Sequence, residues 1–527
     1  MLSKSESISR ALVPLLPRLT GVQPTRQAST ISEEAQAGQT IRKFSHQALP
    51  LAEVQSLPAG NTTSWFADQI TNASMSHLSD LTLHRSKRMI LDTLGVGYLG
   101  SKTDITQSII RWGLDAGLLS DDPALGHGEI GSIIWGSGGR RTSPSMAAYI
   151  NGVSVHSMDF DDTWHPATHP SGPVVPTILA LAETMTGQYR PSGEDLILAY
   201  NVGVQVQGLL MRCSRQAREI PRRFHPPAVV GVMGSAAAAS KLLGFGPKKS
   251  RHALAIAASF AGAPMANAGT KTKPLHCGKS ARFGLEAALM AEHGIEGNDD
   301  ILDMQSGFGA FYDDYDPEEF MRTHSQRDQF VLHDQDIAIK RFPAHLGMHW
   351  AVDAAMEVRR TITGASFQLD PRIISNIVIS APKSRYINRP LPTTEHEARH
   401  SFQFMVCTAL LDGEIHPESF YHDSLHRPSL QGLLEKTAVI TPEDNVASFE
   451  DMYVVVEVQL QDGSVVTGRC DTPYGHWRRP LSDKHIQEKF IRNTRDLPAG
   501  APAEMIRSVG SLDSNSRGTD IGALLAH

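Results

Sequence analysis

The most informative stretch of the chain is residues 156–172, which read His156-Ser-Met-Asp-Phe-Asp-Asp-Thr-Trp-His-Pro-Ala-Thr-His-Pro-Ser-Gly172. The run holds three aspartates and three histidines, and a proline follows each of the last two histidines. Proline excludes a regular helix here, because it lacks a backbone donor and restricts the residue before it. Dense polar groups on irregular backbone between two apolar helical segments indicate the wall of a cleft, where we expect the functional site.

The composition is that of a globular protein with an acidic balance. A length of 527 residues allows two or more domains, and 41% hydrophobic and 20% charged residues are ordinary values. The net charge of -7 argues against general nucleic-acid binding. The four cysteines lie far apart, which indicates neither a zinc knuckle nor a disulfide framework. The apolar runs are too short to span a bilayer, so we expect no membrane partner. The acidic net charge leads us to expect no nucleic-acid partner either.

Residues 1–45 differ in character from the rest of the chain. Residues 1–30 contain four basic side chains and many serines but a single acid, Glu6. A basic, serine-rich and acid-poor start is typical of a mitochondrial transit peptide, although two prolines in it leave a disordered tail as the alternative. We therefore predict that residues 1–45 form a transit peptide or disordered segment and that the protein is located in the mitochondrial matrix.

Helical signals dominate the chain from about residue 75 to about residue 330. Ser79, Ser143 and Ser192 each precede an apolar periodic segment and are predicted N-caps. The segments 229–243 and 253–261 are rich in Ala, Gly and Ser, which let helices approach closely in a buried bundle. We expect a mainly α protein whose large all-helical domain spans residues 46–334.

Strand signals appear after residue 335. The candidate strands are residues 336–340, 373–380, 452–460 and 465–469, and the last two flank Asp462-Gly463, a strong hairpin turn. Candidate helices lie between them at residues 345–360 and 395–411. This order predicts a smaller α+β lid domain over residues 335–472, followed by a helical segment, residues 473–527, that returns to the large domain.

Four further polar runs share a cationic character. They are Arg222-Arg-Phe-His225, Lys271-Thr-Lys-Pro-Leu-His276-Cys-Gly-Lys279, Lys340-Arg-Phe-Pro-Ala-His345 and Arg385-Tyr-Ile-Asn-Arg389. Each alone is more typical of surface charge, but together they offer cations and hydrogen-bond donors on a protein that is acidic overall. We therefore expect a site for an acidic small molecule.

A metal site is a weaker interpretation of the aspartate- and histidine-rich run. The possible ligands in it are Asp159, Asp161, Asp162, His165 and His169. These histidines are not on a helical HExxH motif, and the prolines leave their directions undefined. The chain shows no Walker loop, no dinucleotide fingerprint and no readable pyridoxal-phosphate site. We predict no metal and no nucleotide or organic cofactor.

The motifs together resemble the MmgE/PrpD family over about residues 75–490. The similarity is carried by residues 158–172, 223–227, 273–276, 340–345, 395–401 and 471–477. The most specific part, residues 159–172, is most similar to family members that decarboxylate cis-aconitate to itaconate and CO₂. The 2-methylcitrate dehydratases of the family share the aspartate-rich start of this run but diverge after Thr-Trp.

The resemblance implies a homodimer with an active site between the helical and lid domains and without metal or cofactor. It implies the site residues Asp159, Thr163, His169, His225, Lys273, Lys340, His345 and Tyr386. We assign catalytic roles to His169, Asp159, Lys273 and Tyr386. We assign binding of the tricarboxylate substrate to Thr163, His225, Lys340 and His345.

Cofactor-free decarboxylation is chemically reasonable for this substrate. The departing carboxylate lies next to a C=C bond that accepts the electron pair, so the protein must bind carboxylates, desolvate one and deliver a proton. His169 suits proton delivery, with Asp159 expected to orient and charge it, and a structural histidine is the alternative. Two other functions stay open, namely dehydration of 2-methylcitrate or a related hydroxy-tricarboxylate, and tricarboxylate binding without catalysis.

Overall fold

The computed structural model describes residues 62–120, 131–164, 168–219, 221, 223–325, 329–364, 368–383, 387–514 and 521–527. This part of the chain is mainly helical and has two large hydrophobic cores. One core draws on residues between 65 and 339 and again between 481 and 525, and the other on residues between 338 and 470. The mainly α architecture with a smaller α+β part is therefore confirmed. The segment 1–45 lies outside the described residues.

The first core is a bundle of helices. Its described elements before residue 335 are α1 (Thr62–Asn72), α2 (Asp80–Gly100), α3 (Asp104–Asp115), β1 (Ser132–Ile133), β2 (Arg141–Thr142), α4 (Pro144–His156), α5 (Ser171–Ala182), α6 (Gly193–Arg212), α7 (Val230–Leu242), α8 (Pro247–Phe260), α9 (Lys273–Glu292), α10 (Pro317–His324) and α11 (Val331–Asp334). The strands β1 and β2 form a short antiparallel pair at the edge of the bundle.

The predicted helix starts are confirmed at atomic detail. Ser79 accepts a hydrogen bond from the Thr82 amide, and Ser143 caps α4 with Pro144 at the first helical position. Ser192 forms a capping box with Asp195. Each cap satisfies backbone donors that the helix itself leaves unpaired, which explains why these serines fix the helix boundaries.

Two glycines bring α4 against α9. A Cβ on Gly152 would lie 2.9 Å from the Gly278 Cα, and a Cβ on Gly278 would lie 2.4 Å from the Tyr149 carbonyl oxygen. The two backbones therefore approach too closely for any larger residue. This contact sets the end of α4, at His156, beside the beginning of α9, at Lys273.

The second core is built on a four-stranded sheet. Its elements are α12 (Met348–Thr363), β3 (Ile374–Ser380), α13 (Glu395–Ala398), α14 (Phe402–Asp412), α15 (His422–Leu425), α16 (Pro428–Leu434), β4 (Thr437–Ile440), β5 (Val454–Leu460) and β6 (Val465–Cys470). The strand order is β4-β3-β5-β6, with β3 and β4 parallel and the other pairs antiparallel. The hairpin at Asp462-Gly463 is confirmed, and Gly463 has a φ of +87° that suits glycine.

Three sequence predictions in this region are wrong in detail. Residues 336–340 do not form a strand of the sheet, because Ala338 pairs with Thr163 through an isolated antiparallel bridge. The predicted helix 395–411 is broken after Ala398, where the Ser401 side chain caps a new helix by accepting from the Phe404 amide. The helix expected from His345 begins at Met348. Strand β4 had no sequence signal strong enough to be predicted.

The C-terminal helices pack on the helical bundle. They are α17 (Asp483–Asn493), α18 (Ala501–Gly510) and α19 (Ile521–Leu524). Helices α17 and α18 both contact α2, and their apolar side chains belong to the first core. Among the described residues, every helix is too short or too polar to cross a lipid bilayer.

Candidate active site

A cavity of about 120 Å³ lies where the two cores meet. Its wall includes seven of the eight residues that the sequence indicated, namely Asp159, Thr163, His169, His225, Lys273, Lys340 and His345. The eighth, Tyr386, lies outside the described residues. The wall also includes the apolar residues Met265, Leu346, Ile387, Phe449 and Met452. A wall that combines charged and apolar groups suits a small anion that must be partly desolvated.

Asp159 holds two lysines together at the polar side of the cavity. Its Oδ2 lies 2.7 Å from the Lys273 Nζ, and its Oδ1 lies 2.5 Å from the Lys340 Nζ. Burial alone raises the pKa of Asp159, but the charges of Lys273 and Lys340 hold that pKa well below its usual range. Two ammonium groups against one carboxylate leave an excess positive charge, which is the requirement for binding an anion.

Local backbone structure explains how these three groups meet. Asp159 has a φ of +53°, the left-handed region, and is the only non-glycine residue with positive φ in the described chain. Lys273 is the first residue of α9, next to the proline that starts the helix. Lys340 lies two residues after Ala338. The Ala338 amide and carbonyl pair with the backbone of Thr163 at 3.1 and 2.9 Å. The bridge that replaces the predicted strand therefore delivers Lys340 to Asp159.

His400 is a cavity residue whose role the sequence did not indicate. Its Nδ1 donates to the His396 carbonyl at 3.0 Å, and its Nε2 lies 3.3 Å from the Asp159 Oδ2. It stands in the break between α13 and α14, so the unexpected helix break is what places it in the wall. The capping serine that follows it, Ser401, was the available sequence signal.

His169 has a defined tautomer in this structure. Its Nδ1 lies 2.8 Å from the Asp162 carbonyl oxygen, and since a carbonyl can only accept, Nδ1 carries the hydrogen. The Thr163 Oγ1 lies 3.5 Å from the same nitrogen. Nε2 is therefore the nitrogen at which His169 gains or releases a proton.

The carboxylate nearest to the His169 Nδ1 is not that of Asp159, which we expected from the sequence to orient and charge this histidine. Asp159 is engaged by the two lysines, whereas the carboxylate near the His169 Nδ1 is that of Asp161, whose Oδ2 lies 3.4 Å away. Burial lowers the pKa of His169 well below its usual range, and the negative Asp161 opposes this only in part. The imidazole is thus neutral near pH 7 in the unliganded site.

Two further histidines of the wall, His225 and His345, are also neutral, as is His276, which contacts His225. The Nδ1 atoms of His225 and His276 lie 3.2 Å apart, so one nitrogen must donate and the other accept. Burial lowers the pKa of His225 well below its usual range and that of His276 to about 4. Burial likewise lowers the pKa of His345 to about 3. Neutral imidazoles can donate hydrogen bonds to substrate carboxylates without adding buried charge.

Asp162 is an acid that burial keeps protonated. Burial raises its pKa to about 8, and the neighbouring charge of Asp161 adds to this effect. Its carboxyl group contacts the Ser171 hydroxyl, which in turn lies 2.8 Å from the Tyr200 hydroxyl. This buried series of hydrogen bonds holds Asp162 against the start of α5, and its three residues do not line the cavity.

Two sets of side chains in the described residues have the spacing of metal ligands. They are His156, His169 and His225, and Asp159, Asp161 and His169. Both Asp159 oxygens are already engaged by lysine ammonium groups, which also repel a divalent cation. The site therefore fits an anionic ligand better than a metal ion.

A large helical domain, a smaller α+β domain and a cavity lined by Lys273 and Lys340 where their cores meet are the features of an enzyme whose site suits a small anion. Residues 64–321 match the MmgE/PrpD N-terminal domain, and residues 342–512 match the MmgE/PrpD C-terminal domain. The chain belongs to the MmgE/PrpD family.

Curated relatives share most of their length with this chain. A human protein named cis-aconitate decarboxylase is 47% identical over 452 residues, covering 86% of this chain and 92% of its own. The mouse protein of the same name is 48% identical over 438 residues, covering 83% and 87%. A cis-aconitate decarboxylase-like protein, oryM, of Aspergillus oryzae is 25% identical over 494 residues, covering 89% and 98%.

Proposed function

We propose that this protein is a carboxy-lyase that converts cis-aconitate to itaconate and CO₂ without a cofactor. The observation that carries the proposal is the pair Lys273 and Lys340, held on one carboxylate beside His169 in a partly apolar cavity. The two mammalian relatives with this named activity, each at least 47% identical, support the same reaction.

Substrate binding follows from the excess charge. A tricarboxylate brings three negative charges, and the ammonium groups of Lys273 and Lys340 can each face a carboxylate while Asp159 fixes their separation. The hydroxyl of Thr163 and the imidazoles of His225 and His345 supply neutral hydrogen bonds. Asp159 therefore acts in this site by positioning the two cations.

Bond cleavage relies on the substrate itself. The C–C bond between the methylene carbon and its carboxylate breaks, and its electron pair forms a new terminal C=C bond. The π electron pair of the old C=C bond moves onto the vinylic carbon. That carbon takes up one proton, so a trianion and a proton give a dianion and CO₂. An apolar wall near the departing carboxylate favours release of neutral CO₂, because it solvates the charged carboxylate poorly.

His169 is our candidate for the proton donor. It is neutral in the unliganded site, but a bound trianion brings negative charge into the cavity and raises the pKa of His169. Substrate binding then favours proton uptake at Nε2, next to the reacting carbon. Transfer of this proton to the carbon itself returns His169 to the neutral imidazole.

The decisive experiment offers the purified protein cis-aconitate and, separately, 2-methylcitrate. Decarboxylation predicts CO₂ release and new terminal methylene proton signals from cis-aconitate by NMR. Loss of water without CO₂ would instead establish a dehydratase. Binding of either compound by calorimetry without turnover would establish a tricarboxylate-binding protein.

We also propose a homodimer in the mitochondrial matrix, on the basis of the family resemblance and the basic, acid-poor start of the chain. Sedimentation equilibrium should give twice the chain mass, and a monomer at working concentration would contradict this. A fluorescent fusion of residues 1–45 should enter mitochondria, whereas a diffuse cytosolic signal would reject the location.

A further inference from the structure

A buried carboxylate behind the cavity wall is shared by two histidines. The Asp161 Oδ2 lies 2.8 Å from the His156 Nδ1 and 3.4 Å from the His169 Nδ1. The Asp161 and His156 side chains are completely buried, and neither residue lines the cavity. The two imidazole rings meet edge to face, with their centroids 4.5 Å apart.

Hydrogen bonding fixes the orientation of His156 and Asp161. The His156 Nδ1 donates to Asp161, while its Nε2 has no hydrogen-bond partner within the described chain. The same oxygen of Asp161, Oδ2, faces the Nδ1 atoms of both His156 and His169.

We propose that Asp161 is a positioning residue that stabilises the imidazolium form of His169 when substrate is bound, while the Asp162 carbonyl holds the Nδ1–H tautomer. His156 holds the Asp161 carboxylate in place for this purpose. The inference rests on the proposed function, since it assigns the group that enables His169 to deliver the proton. The Oδ1 of Asp161 has no hydrogen-bond partner among the described residues.

The surroundings of His169 make Asp161 necessary. The titratable groups near His169 are Asp159, Asp161, His156, His225, Lys273 and Lys340. Of the two carboxylates, Asp159 is paired with both lysines, whereas Asp161 lies 3.4 Å from the His169 Nδ1. Without its charge, the lysines and the burial of the ring oppose any imidazolium.

The test compares Asp161→Asn with wild type on cis-aconitate over a range of pH. The variant should lose about 10- to 1,000-fold in kcat at neutral pH, with KM within a few-fold. Its alkaline limb of kcat should move by about one to three units toward lower pH, because the imidazolium loses its counter-charge. The control Asp353→Asn removes a half-buried aspartate that pairs with Arg341 outside the cavity, and its limb should stay at the wild-type position.

A loss of kcat with an unmoved limb, or activity near wild type, would overturn the role of Asp161. If the Asp161→Asn protein does not fold, a second measurement on the wild type tests the proposal. Nitrogen NMR of histidine-labelled wild type with the non-reactive tricarboxylate tricarballylate bound, with His169 assigned by difference from His169→Asn, should show hydrogen on both ring nitrogens, and hydrogen on Nδ1 alone would refute the proposal. This readout needs no turnover, so it separates failure of the inference from failure of the proposed decarboxylation.

Discussion

At the scale of single residues, Asp159 combines an unusual backbone conformation with a charge that the site depends on. The left-handed backbone costs a non-glycine residue about 1–2 kcal/mol, so its neighbours must hold it there. Lys340 does so by bonding both the Asp159 carbonyl, at 2.9 Å, and its carboxylate. One lysine thus fixes both the conformation of the loop and the charge of the cavity.

Replacement of His169 by Asn should separate proton delivery from binding. The variant keeps approximate size and a polar group but removes the titrating nitrogen, so kcat should fall about 10²- to 10⁴-fold with a smaller change in KM. The control is His349→Asn, a buried histidine stacked on Phe342 away from the cavity, which should retain activity. Steady-state kinetics decide this, and a His169→Asn enzyme within a few-fold of wild type would move the donor to another residue.

Lys273→Ala should act mainly on binding. The change removes one of two cations and leaves a substrate carboxylate without its partner, so KM should rise at least about tenfold, and kcat can fall as well. Titration with a non-reactive tricarboxylate such as tricarballylate measures this directly. Unchanged affinity would show that Lys273 does not face the ligand.

Exhaustive chelation should leave the activity unchanged. The reason is that both Asp159 oxygens are paired with lysines, which disfavour a divalent cation at this place. The comparison is activity before and after dialysis against a strong chelator. Loss of activity that a single divalent ion restores would make the histidine–aspartate group a metal site.

At the scale of elements, α17 supports the active-site loop from the far end of the chain. The Lys489 Nζ lies 2.6 Å from the Asp92 Oδ1 on α2 and 3.2 Å from the carbonyl oxygen of Phe160. It also lies 3.8 Å from the centroid of the Phe160 ring. Since Phe160 follows Asp159 directly, this helix fixes the backbone that presents the carboxylate to the two lysines.

Lys489→Met should therefore destabilise the protein and lower its activity together. An unpaired buried Asp92 costs about 3–5 kcal/mol in the free energy of unfolding, and the combined Asp92→Leu, Lys489→Met variant should recover part of it. Lys484→Met, on the exposed face of the same helix, is the matched control and should change stability by less than about 0.5 kcal/mol. Urea unfolding measures all three, and equal effects of the two lysine changes would contradict the role of Lys489.

At the scale of the whole molecule, several histidines in and around the site are kept neutral by burial. Burial lowers the pKa of six of them in the described chain, namely His169, His225, His276, His345, His349 and His396. These groups lie where the helical and α+β parts meet. The interface that creates the cavity is thus also the part of the protein that acid should affect first.

Stability should fall as the pH drops below about 6.5. The unfolded chain binds protons on these histidines from about pH 6.5 downward, whereas folded His276 and His345 resist protonation until about pH 4 and 3. Each such histidine removes about 2 kcal/mol between pH 6.5 and 5. Asp162, with its pKa raised to about 8, has the opposite sign, because its contribution is fully present below about pH 4 and is lost progressively as the pH rises from about 4 to 8.

The expected result is a maximum of stability near neutral pH and a steep acid slope, measured from urea midpoints between pH 5 and 8. His276→Gln should flatten the acid slope, because it removes one group that takes up protons on unfolding. A slope unchanged in this variant would show that His276 is not held neutral in the folded protein.

Local chemistry explains what the sequence determined by itself. Serine caps, the proline that starts α4 and the Asp-Gly hairpin act within a few residues, so the helix starts and the β5–β6 turn could be predicted. The polar runs also contain seven described residues that line one cavity, and the family resemblance singled these residues out. The motif resemblance gave the family for the same reason, since it depends on residue identity alone.

Only the tertiary structure decided which groups face one another. Residues 336–340 look like a strand, but the partner of Ala338 is Thr163, far away in sequence, and this pairing rather than any local propensity places Lys340 on Asp159. The same holds for His400, brought to the cavity by a helix break, and for the choice of Asp161 over Asp159 as the neighbour of His169. Asp159 and Asp161, two residues apart, have the same chemistry in sequence, and a left-handed backbone at Asp159 accompanies the different partners of their side chains.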